Sequence, residues 1–507
     1  MRILFTVFSL FLPMWGHAQQ NDSLHDQSAG AAFQTVGLYH QRLYSLYEQV
    51  PGQVLFHPSA GYSHSTLEFM RASGSWRTPQ LPERNTQYKI ASRGVTQVNK
   101  FKLWGDFQYR RNLEDSIGWR LKPDQADISP YYLANIRPGN WDNHEYQLKG
   151  TGGVPLTRRL SLVAGAQLET GTYGRSNDPR ADITRYRLTV DGGLGYRIGP
   201  VTAVLSGRYG YGEEVASVSY QNIMNQSDGR PEYTTQDVMG YGYYRIVSSK
   251  RNLYEFRNLK GGSLVLQAGQ FNVGYSYQLV DRRYRRKIDA TGDISPYSPI
   301  GEVTQKEHRV VSNYTWAGDV VQRLCGGELR YTHVKDFNQL IIQGNNYLGI
   351  AKEAVFTYNE KRPAWEFGLK GSYQSVSKKD GTASVDYLVQ TLTLSGQAAK
   401  ELPWGKDFVR LKAQLGYRTD LNSHLTIGSQ YNAFMTGVIL PDFTYYSSEQ
   451  VEAGLQAGYG VKVKQVMLMP AVHYTWQQAL SPQSLPQTAF APGNNYQIWA
   501  LQLNIYL

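Results

Sequence analysis

The feature that most constrains the fold of this chain is an alternation of apolar and polar residues with a period of two. The pattern is clearest at the C-terminus, where one face of an extended segment carries only apolar side chains: Trp499, Leu501, Leu503, Ile505 and Leu507. The residues between them are of mixed polarity, and successive side chains of a β-strand point to opposite sides of the sheet. The alternation predicts a strand with an apolar environment on one side and an aqueous environment on the other.

The same alternation recurs along the chain, which separates it from an isolated amphipathic strand of a soluble protein. Further apolar stripes begin at Phe101, Leu160, Tyr186, Ala203, Phe271, Trp365, Leu388, Val409, Val451 and Val466. Each stripe covers roughly ten to fourteen residues, enough for a tilted strand to cross an apolar layer about 25 Å thick. Aromatic residues near the stripe ends are expected in girdles at the membrane interfaces, for instance Trp141, Tyr173, Tyr211 and Trp476.

Composition favours a membrane barrel over a bundle of membrane helices. Of the 507 residues, 41% are hydrophobic, yet the mean hydropathy is -0.46 and no long apolar run follows the N-terminus. A transmembrane barrel shows this combination because every second residue of each strand faces the lumen and can be polar. The fold class predicted from the sequence is therefore all-β, a single antiparallel up-and-down transmembrane barrel of about 18 strands, with roughly 16 to 20 as the range.

The order of the connections supports this barrel, which is assigned to residues 59–507. Short connections are predicted near Asn99, Pro155, Gly199, Gly269, Gly318, Pro363, Trp404 and Lys464. Long connections alternate with them, among them residues 174–182 and 377–384. Tight periplasmic turns that alternate with long outer loops are typical of bacterial barrels, and an even strand number leaves both barrel ends in the periplasm.

Two segments precede the predicted barrel. Residues 1–18 are interpreted as a secretory signal peptide, with Arg2 before a short apolar core and small residues ahead of Gln19. Residues 19–58 carry apolar side chains three or four positions apart, which predicts a short amphipathic helix that plugs the barrel or lies in the periplasm. Its candidate plug residues are Phe33, Val36, Leu43 and Tyr47. A leader that orders only partly is the alternative.

The polar faces of the strands supply the candidate lumen-lining residues. They are Lys102, Asp106, Arg110, Arg187, Asp191, Arg208, Glu366, Lys370, Arg410, Lys412, Arg418 and Glu452. Rings of charged side chains set ion selectivity in pores, and here the cations give a modest preference for anions. Internal ion pairs also brace a barrel wall, and the sequence leaves both roles open.

Catalytic and metal-binding motifs are not found in the sequence. Cys325 is the single cysteine, so no internal disulfide or cysteine-based metal cluster can form. The ten histidines are scattered, and neither an H-E-x-x-H motif nor a G-x-S-x-G motif occurs. We expect no cofactor and no bound metal, and we expect a protein that is not an enzyme, although a barrel could assemble a catalytic site from separate strands.

The net charge of +11 points to acidic partners at a membrane surface. Outer-membrane lipid and lipopolysaccharide are the expected contacts, and a compact basic motif for nucleic acid is not found. The densest charge cluster, residues 281–287, reads DRRYRRK and follows a predicted strand. It is interpreted either as a grip for acidic groups or as the solvated root of a loop.

With its Gln19 start, strands such as KFKLWGDFQYRR and the terminal WALQLNIYL, the chain resembles the uncharacterised outer-membrane β-barrel families of Bacteroidota. The resemblance covers nearly the whole mature chain and implies no known reaction. The last strand is similar to the signal that the barrel-assembly machinery recognises, although it ends in Leu507 where many barrels end in Phe. The short segment before the barrel differs from the large plug of TonB-dependent transporters, and long-chain fatty-acid transporters have smaller barrels.

Two functions fit these expectations. The first is a pore or substrate channel, because barrels of about this size enclose an aqueous lumen unless loops fill it. The second is a scaffold or accessory subunit of a surface uptake or secretion complex, with a surface lipoprotein or a transporter as its partner.

Overall fold

The computed structural model describes residues 51–56, 61–123, 129–227, 229–247, 251–287, 297–318, 320–428, 432–480 and 490–507. The predicted signal peptide and most of the predicted 19–58 segment lie outside these residues, including the four candidate plug residues Phe33, Val36, Leu43 and Tyr47.

The strands follow one another along the chain, with four short helical elements among them. The strands are β1 (Gly61–Gly74), β2 (Arg84–Val98), β3 (Phe101–Ile117), β4 (Tyr131–Ala134), β5 (Gly139–Pro155), β6 (Leu160–Arg175), β7 (Arg180–Ile198), β8 (Val201–Ser219), β9 (Thr235–Met239), β10 (Tyr244–Val247), β11 (Arg251–Ala268), β12 (Phe271–Lys287), β13 (Tyr297–Ala317), β14 (Gln322–Asn338), β15 (Tyr347–Lys361), β16 (Trp365–Asp380), β17 (Val385–Trp404), β18 (Asp407–Asp420), β19 (His424–Thr426), β20 (Gln450–Val463), β21 (Val466–Ala479) and β22 (Asn495–Tyr506). The helical elements are a 3₁₀ turn (Pro51–Phe56), α1 (Ile223–Ser227), a π-helical turn (Met435–Ile439) and α2 (Leu440–Ser447).

Eighteen of these strands form one closed antiparallel barrel, which confirms the predicted fold class. Neighbours in sequence pair with each other, and β22 closes the barrel on β1, for instance through Leu503 opposite Leu67. Strands β4, β9 and β10 form a separate three-stranded sheet, and β19 is a short addition to β17. Within the described residues, no helix is long and apolar enough to cross a membrane.

One end of the barrel consists of short turns, and it also holds the first residue of β1 and the last residue of β22. These turns coincide with the predicted short connections; Asn99 and Gly199, for example, each begin a two-residue turn with a positive φ, of 53° and 56°. A left-handed residue suits such a turn because it matches the twist of the flanking strands. We call this the short-turn end and the opposite one the long-loop end.

The two faces of the wall differ in polarity as the alternation predicts. On the outer face Leu205, Leu455 and Leu501 are 67%, 64% and 55% exposed. On the C-terminal strand, Trp499 and Leu507 share the outer face with Leu501, Leu503 and Ile505, and the intervening Asn504 and Tyr506 are buried inside. The apolar stripe at the C-terminus therefore faces away from the lumen.

Two expectations are wrong at the long-loop end. Trp141 and Tyr173, expected in an interfacial girdle, are each only 3% exposed and lie inside the barrel. Residues 174–182 and 377–384, expected as long loops, contain only four-residue connections, because β6, β7 and β16 extend further than the apolar stripes. The physical reason is shared: at this end the inner wall packs against folded loops, so strand pairing and apolar side chains continue above the membrane-sized stripe.

Candidate functional site: the barrel lumen

The lumen is the candidate functional site because the inner wall carries charged and polar side chains. Trp104, Val163 and Val204 are buried on the inner side of their strands, and residues an even number of positions away share that side. Strand register places all twelve predicted lumen residues on this face: Lys102, Asp106, Arg110, Arg187, Asp191, Arg208, Glu366, Lys370, Arg410, Lys412, Arg418 and Glu452.

Several of these side chains are paired across neighbouring strands. Arg208 Nε lies 2.5 Å from Asp191 Oδ1, and Arg110 forms an ion pair with Glu145. Asp106 Oδ2 lies 3.4 Å from Arg93 Nε on β2. Pairing of this kind ties adjacent strands together, so part of the predicted charge set braces the wall.

Another of these networks surrounds Arg410 on β18. Its Nη2 lies 2.6 Å from Glu366 Oε2 and its Nη1 lies 3.3 Å from Glu401 Oε1. Lys361 Nζ lies 3.7 Å from the other oxygen of Glu366. The side chains of Arg410 and Glu366 are 13% and 5% exposed, so removing either partner would leave a buried charge compensated only by the longer contact, to Glu401 or to Lys361.

A further charged group on β13 to β15 was missed in the sequence. Glu328 Oε1 lies 2.7 Å from Arg309 Nη2 and 3.2 Å from Arg330 Nη2, and Arg330 also approaches Glu353 at 3.4 Å. The signal was present, since Leu329 on the other face of β14 is 58% exposed and alternates with these charges.

Arg418 and Glu452 lie toward the long-loop end of the lumen, and each hydrogen-bonds other groups of the protein. Arg418 Nη2 donates to the backbone oxygens of Tyr445, at 2.9 Å, and Ser448, at 3.2 Å, at the C-terminal end of α2. Glu452 accepts hydrogen bonds from Gln414 at 2.7 Å and Gln477 at 2.8 Å. Arg418 thus holds a folded loop inside the barrel by satisfying carbonyls that the helix end leaves unpaired.

That folded loop belongs to a plug at the long-loop end, which we call the loop plug. It comprises the sheet β4, β9 and β10, the π-helical turn and α2. Its apolar residues form one buried cluster with inward side chains of the wall. Members of this cluster include Tyr131, Met239, Phe434, Met435, Ile439, Tyr284, Tyr347 and Tyr387. The mouth of the lumen is therefore filled by packed side chains.

Buried polar groups fix the loop plug to the wall. Asp336 on β14 accepts hydrogen bonds from the Tyr131 hydroxyl at 2.7 Å and from the backbone of Tyr347 at 2.6 Å. Within the plug, Asn135 Nδ2 donates to the backbone oxygen of Thr234 at 2.7 Å. These bonds satisfy groups whose burial would otherwise be unfavourable.

The charge cluster of residues 281–287 divides between the two faces of β12. On the inner face, the Tyr284 hydroxyl donates to Glu255 at 2.7 Å, and Arg286 forms an ion pair with Asp237 of the loop plug. On the outer face, the side chain of Arg283 is 55% exposed. One face of this segment therefore anchors the plug, and the other is the solvated loop root.

A buried carboxyl lies in the middle of the loop plug. Asp442 on α2 is 4% exposed and accepts a long hydrogen bond, 3.4 Å, from the Tyr241 hydroxyl. The ammonium of Lys378 lies 4.1 Å from the centre of the Tyr241 ring. Burial raises the pKa of Asp442 to about 6, and the positive charge of Lys378 opposes that rise.

A smaller closure lies at the short-turn end, where Pro51–Phe56 packs inside the barrel against β5, β6 and β7. Val54 is 3% exposed and lies in a buried cluster with Val163 and Val204, with Leu55 packed against it. The described end of the predicted 19–58 segment thus contacts the inner wall.

In the described part of the chain, no group of three or more His, Cys, Asp or Glu side chains is arranged to bind a metal ion. Cys325 lies opposite Tyr314 and Tyr358 on the register of β14, next to the buried Leu324, and so faces outward.

The sequence matches a family profile described as "Family of unknown function (DUF6850)" over residues 51–507. A comparison with curated protein sequences gives no significant match.

Solved membrane barrels resemble the structure at a distance. The copper transporter OprC has a TM-score of 0.42 at 9% identity, covering 88% of this chain and 80% of that one. The ferric yersiniabactin uptake receptor FyuA from Yersinia pestis has a TM-score of 0.42 at 9% identity, covering 88% and 79%. Pseudomonas aeruginosa OccK9 has a TM-score of 0.37 at 10% identity, covering 88% and 98%. Similarity this distant assigns no function to the chain.

Proposed function

The chain belongs to the DUF6850 family of unknown function, and we propose that it is an outer-membrane barrel through which a small solute crosses by a gated lumen. The observation that carries the proposal is the combination of a charged inner wall with a mouth closed by loops rather than by the wall itself. Loops that pack as a separate layer in the mouth can move while the strands of the barrel wall stay paired. Transport without catalysis or a cofactor is part of this proposal.

The outer surface supports a membrane location. Large apolar side chains on many strands are exposed there, with Leu205 at 67% and Leu369 at 60%. An apolar belt of this kind is unfavourable in water and suits lipid, and a closed barrel satisfies its own backbone groups in a bilayer. Outer-membrane lipid and lipopolysaccharide are the proposed surroundings, because the net charge of +11 favours contact with their acidic groups.

The proposed topology puts the short-turn end in the periplasm and the loop plug outside. It follows from the turn pattern of bacterial barrels. Residues 1–18 then direct export, the barrel-assembly machinery inserts the mature chain, and residues 19–58 restrict the lumen from the periplasmic side. The strand sequences resemble barrel families of Bacteroidota, which is the proposed source.

The proposal is tested by solute efflux from proteoliposomes that contain the purified full-length protein. We expect slow efflux of a small neutral solute from the wild type and fast efflux when residues 432–447 are replaced by a short Gly-Ser linker. Replacement of α1, whose Ile223 is 75% exposed, is the matched loop control and should not speed efflux. Slow efflux in all three proteins would contradict a gated passage, provided that the barrels are inserted.

The packed loop plug also supports a second candidate, a non-conducting scaffold for a surface complex. Its apolar cluster fills the mouth and leaves loop surfaces outside as an interface. In that case none of the three proteins conducts, and a surface lipoprotein or transporter co-purifies with the wild type. Loss of that partner after the residue 432–447 replacement, without any efflux, would favour the scaffold.

A further inference from the structure

The inner wall is recessed where β7, β8 and β11 lie side by side. Gly210 and Gly212 on β8 and Gly261 on β11 occupy inward positions of the register there, so these positions present backbone instead of side chains. A Cβ built at Gly212 would lie only 2.9 Å from Cγ of Arg187. Glycine at this position is what allows the stem of Arg187 to lie against the neighbouring strand.

The recess opens as a cavity of about 240 Å³. Its polar lining comes from five adjacent strands, β6, β7, β8, β11 and β12: Gln167, Glu169, Arg187, Arg208, Arg257 and Gln278. Ordinary ligand pockets begin at about 300 Å³, so this cavity suits a small solute. The amide groups of the two glutamines add neutral hydrogen-bonding groups at its edge.

Positive charge exceeds negative charge around the recess. Three arginines lie in the lining, against one carboxylate in the lining, Glu169, and one behind it, Asp191. Arg208 is held by Asp191 at 2.5 Å. The Arg187 guanidinium, by contrast, lies 3.7 Å from Glu169, which is too long for a direct hydrogen bond.

The register also brings two of the arginines to the two sides of the recess. Arg187 on β7 and Arg257 on β11 are both cross-strand neighbours of Gly212, so their Cα atoms are two strand spacings, about 10 Å, apart. Long side chains on both flanks of a glycine can converge on one ligand. The guanidinium fork matches the oxygens of carboxylate and phosphate groups.

We propose that this recess binds a small oxyanion, a solute with a carboxylate or phosphate group, between Arg187, Arg208 and Arg257. The inference rests on the proposed transport function and names the substrate class of the same lumen. The arginine-lined recess is then a binding site on the path of an anionic solute, between the loop plug and the short-turn end.

The test is calorimetric titration of the full-length protein in detergent with citrate and, separately, with inorganic phosphate. We expect saturable binding of at least one of them, and at least tenfold weaker binding in Arg187→Gln and in Arg257→Gln. Arg309→Gln is the matched control, because Arg309 also faces the lumen and pairs with Glu328 at 2.7 Å but lies outside the recess lining. Its affinity should equal that of the wild type.

Each titration is repeated in Gly437→Val, a substitution directed at the loop plug, so that access through the mouth does not hide the site. Preference for citrate identifies a carboxylate ligand, and preference for phosphate identifies a phosphorylated one. No saturable binding in either background overturns the inference, as does equal weakening by Arg309→Gln, which would indicate diffuse charge. The titration measures binding without any flux through the lumen. Efflux from proteoliposomes without oxyanion binding therefore rejects only the binding site in the recess. Oxyanion binding without efflux rejects only the gated transport.

Discussion

Trp119 packs its indole ring directly on the backbone of Gly437, leaving no room for a Cβ at that position. The same ring meets Phe434 edge to face, with 5.8 Å between the ring centres. The contact joins the segment after β3 to the π-helical turn of the loop plug, so it links two segments that are distant in sequence.

Gly437→Val should loosen the loop plug without unfolding the barrel, because its side chain must displace the Trp119 ring. We expect faster hydrogen exchange in residues 433–447 and unchanged exchange in the barrel strands. Gly150→Val is the matched control, since a Cβ at Gly150 has no neighbour within 4 Å. Unchanged protection of residues 433–447 in Gly437→Val would refute this packing.

Asp442 should make the stability of the loop plug depend on pH. A carboxyl whose pKa is raised from 3.8 to about 6 in the folded plug stabilises it below pH 4. That contribution is lost as the pH rises through about 6, and the loss is on the order of 3 kcal/mol at pH 7. Exchange in residues 433–447, corrected for intrinsic rates, should accelerate between pH 4 and 7.

The control for this prediction is Asp442→Asn, which cannot ionise. We expect the variant to lose most of the pH dependence and to be better protected than the wild type at pH 7. The variant retains Lys378 and Lys122, two cationic side chains near residue 442. An identical pH profile in the wild type and the variant would show that Asp442 does not govern plug stability.

The outward position of Leu503 predicts a facing-dependent assembly defect. Leu503→Arg should cost about 2 to 4 kcal/mol if the residue lies near the bilayer midplane, and it should reduce the heat-modifiable, folded band on gels. Gln502→Arg should assemble, because Gln502 faces the lumen and already hydrogen-bonds Glu68 at 2.5 Å. The reverse result would place lipid on the other face of β22.

Arg410 should contribute more to the stability of the barrel wall than to ion selectivity. Arg410→Glu places a third carboxylate beside Glu366 and Glu401, and breaking a buried pair of this kind costs about 3 to 5 kcal/mol. The variant should unfold at lower temperature, and the swap of Arg410→Glu with Glu366→Arg should recover part of the loss. No difference between the single variant and the swap would argue against the pair.

A second lumen charge is tested at Lys412, which is partly exposed. In a barrel whose loop plug has been removed, Lys412→Glu should shift the reversal potential toward cation selectivity. Unchanged reversal potentials would mean that this residue does not line the conducting path.

The barrel could be predicted because its strands and turns follow local patterns that are visible in the sequence. Period-two alternation indicates which side chains face outward, as Leu501 and Leu205 show, and turn residues such as Asn99 mark where strands reverse. Register then follows, since a slip by one residue would exchange the two faces. Strand number could be predicted for the same reason.

The loop plug could not be predicted in the same way, because its contacts join segments far apart in the chain. Asp336 and Tyr131, for example, are separated by 205 positions. Apolar groups such as Phe434, Met435 and Ile439 between β19 and β20 were the available signal, since an exposed loop does not require them. The inward position of Trp141 and Tyr173 depends on that same packing.

Ion conductance across a planar bilayer tests the gated lumen most directly, with the full-length wild type, Gly437→Val and Gly150→Val compared under the same voltage. The account predicts a wild type that is closed most of the time, at least a tenfold higher open fraction in Gly437→Val, and wild-type behaviour in Gly150→Val. A steady, large current through the wild type would contradict it, as would a Gly437→Val channel that stays closed although residues 433–447 exchange freely.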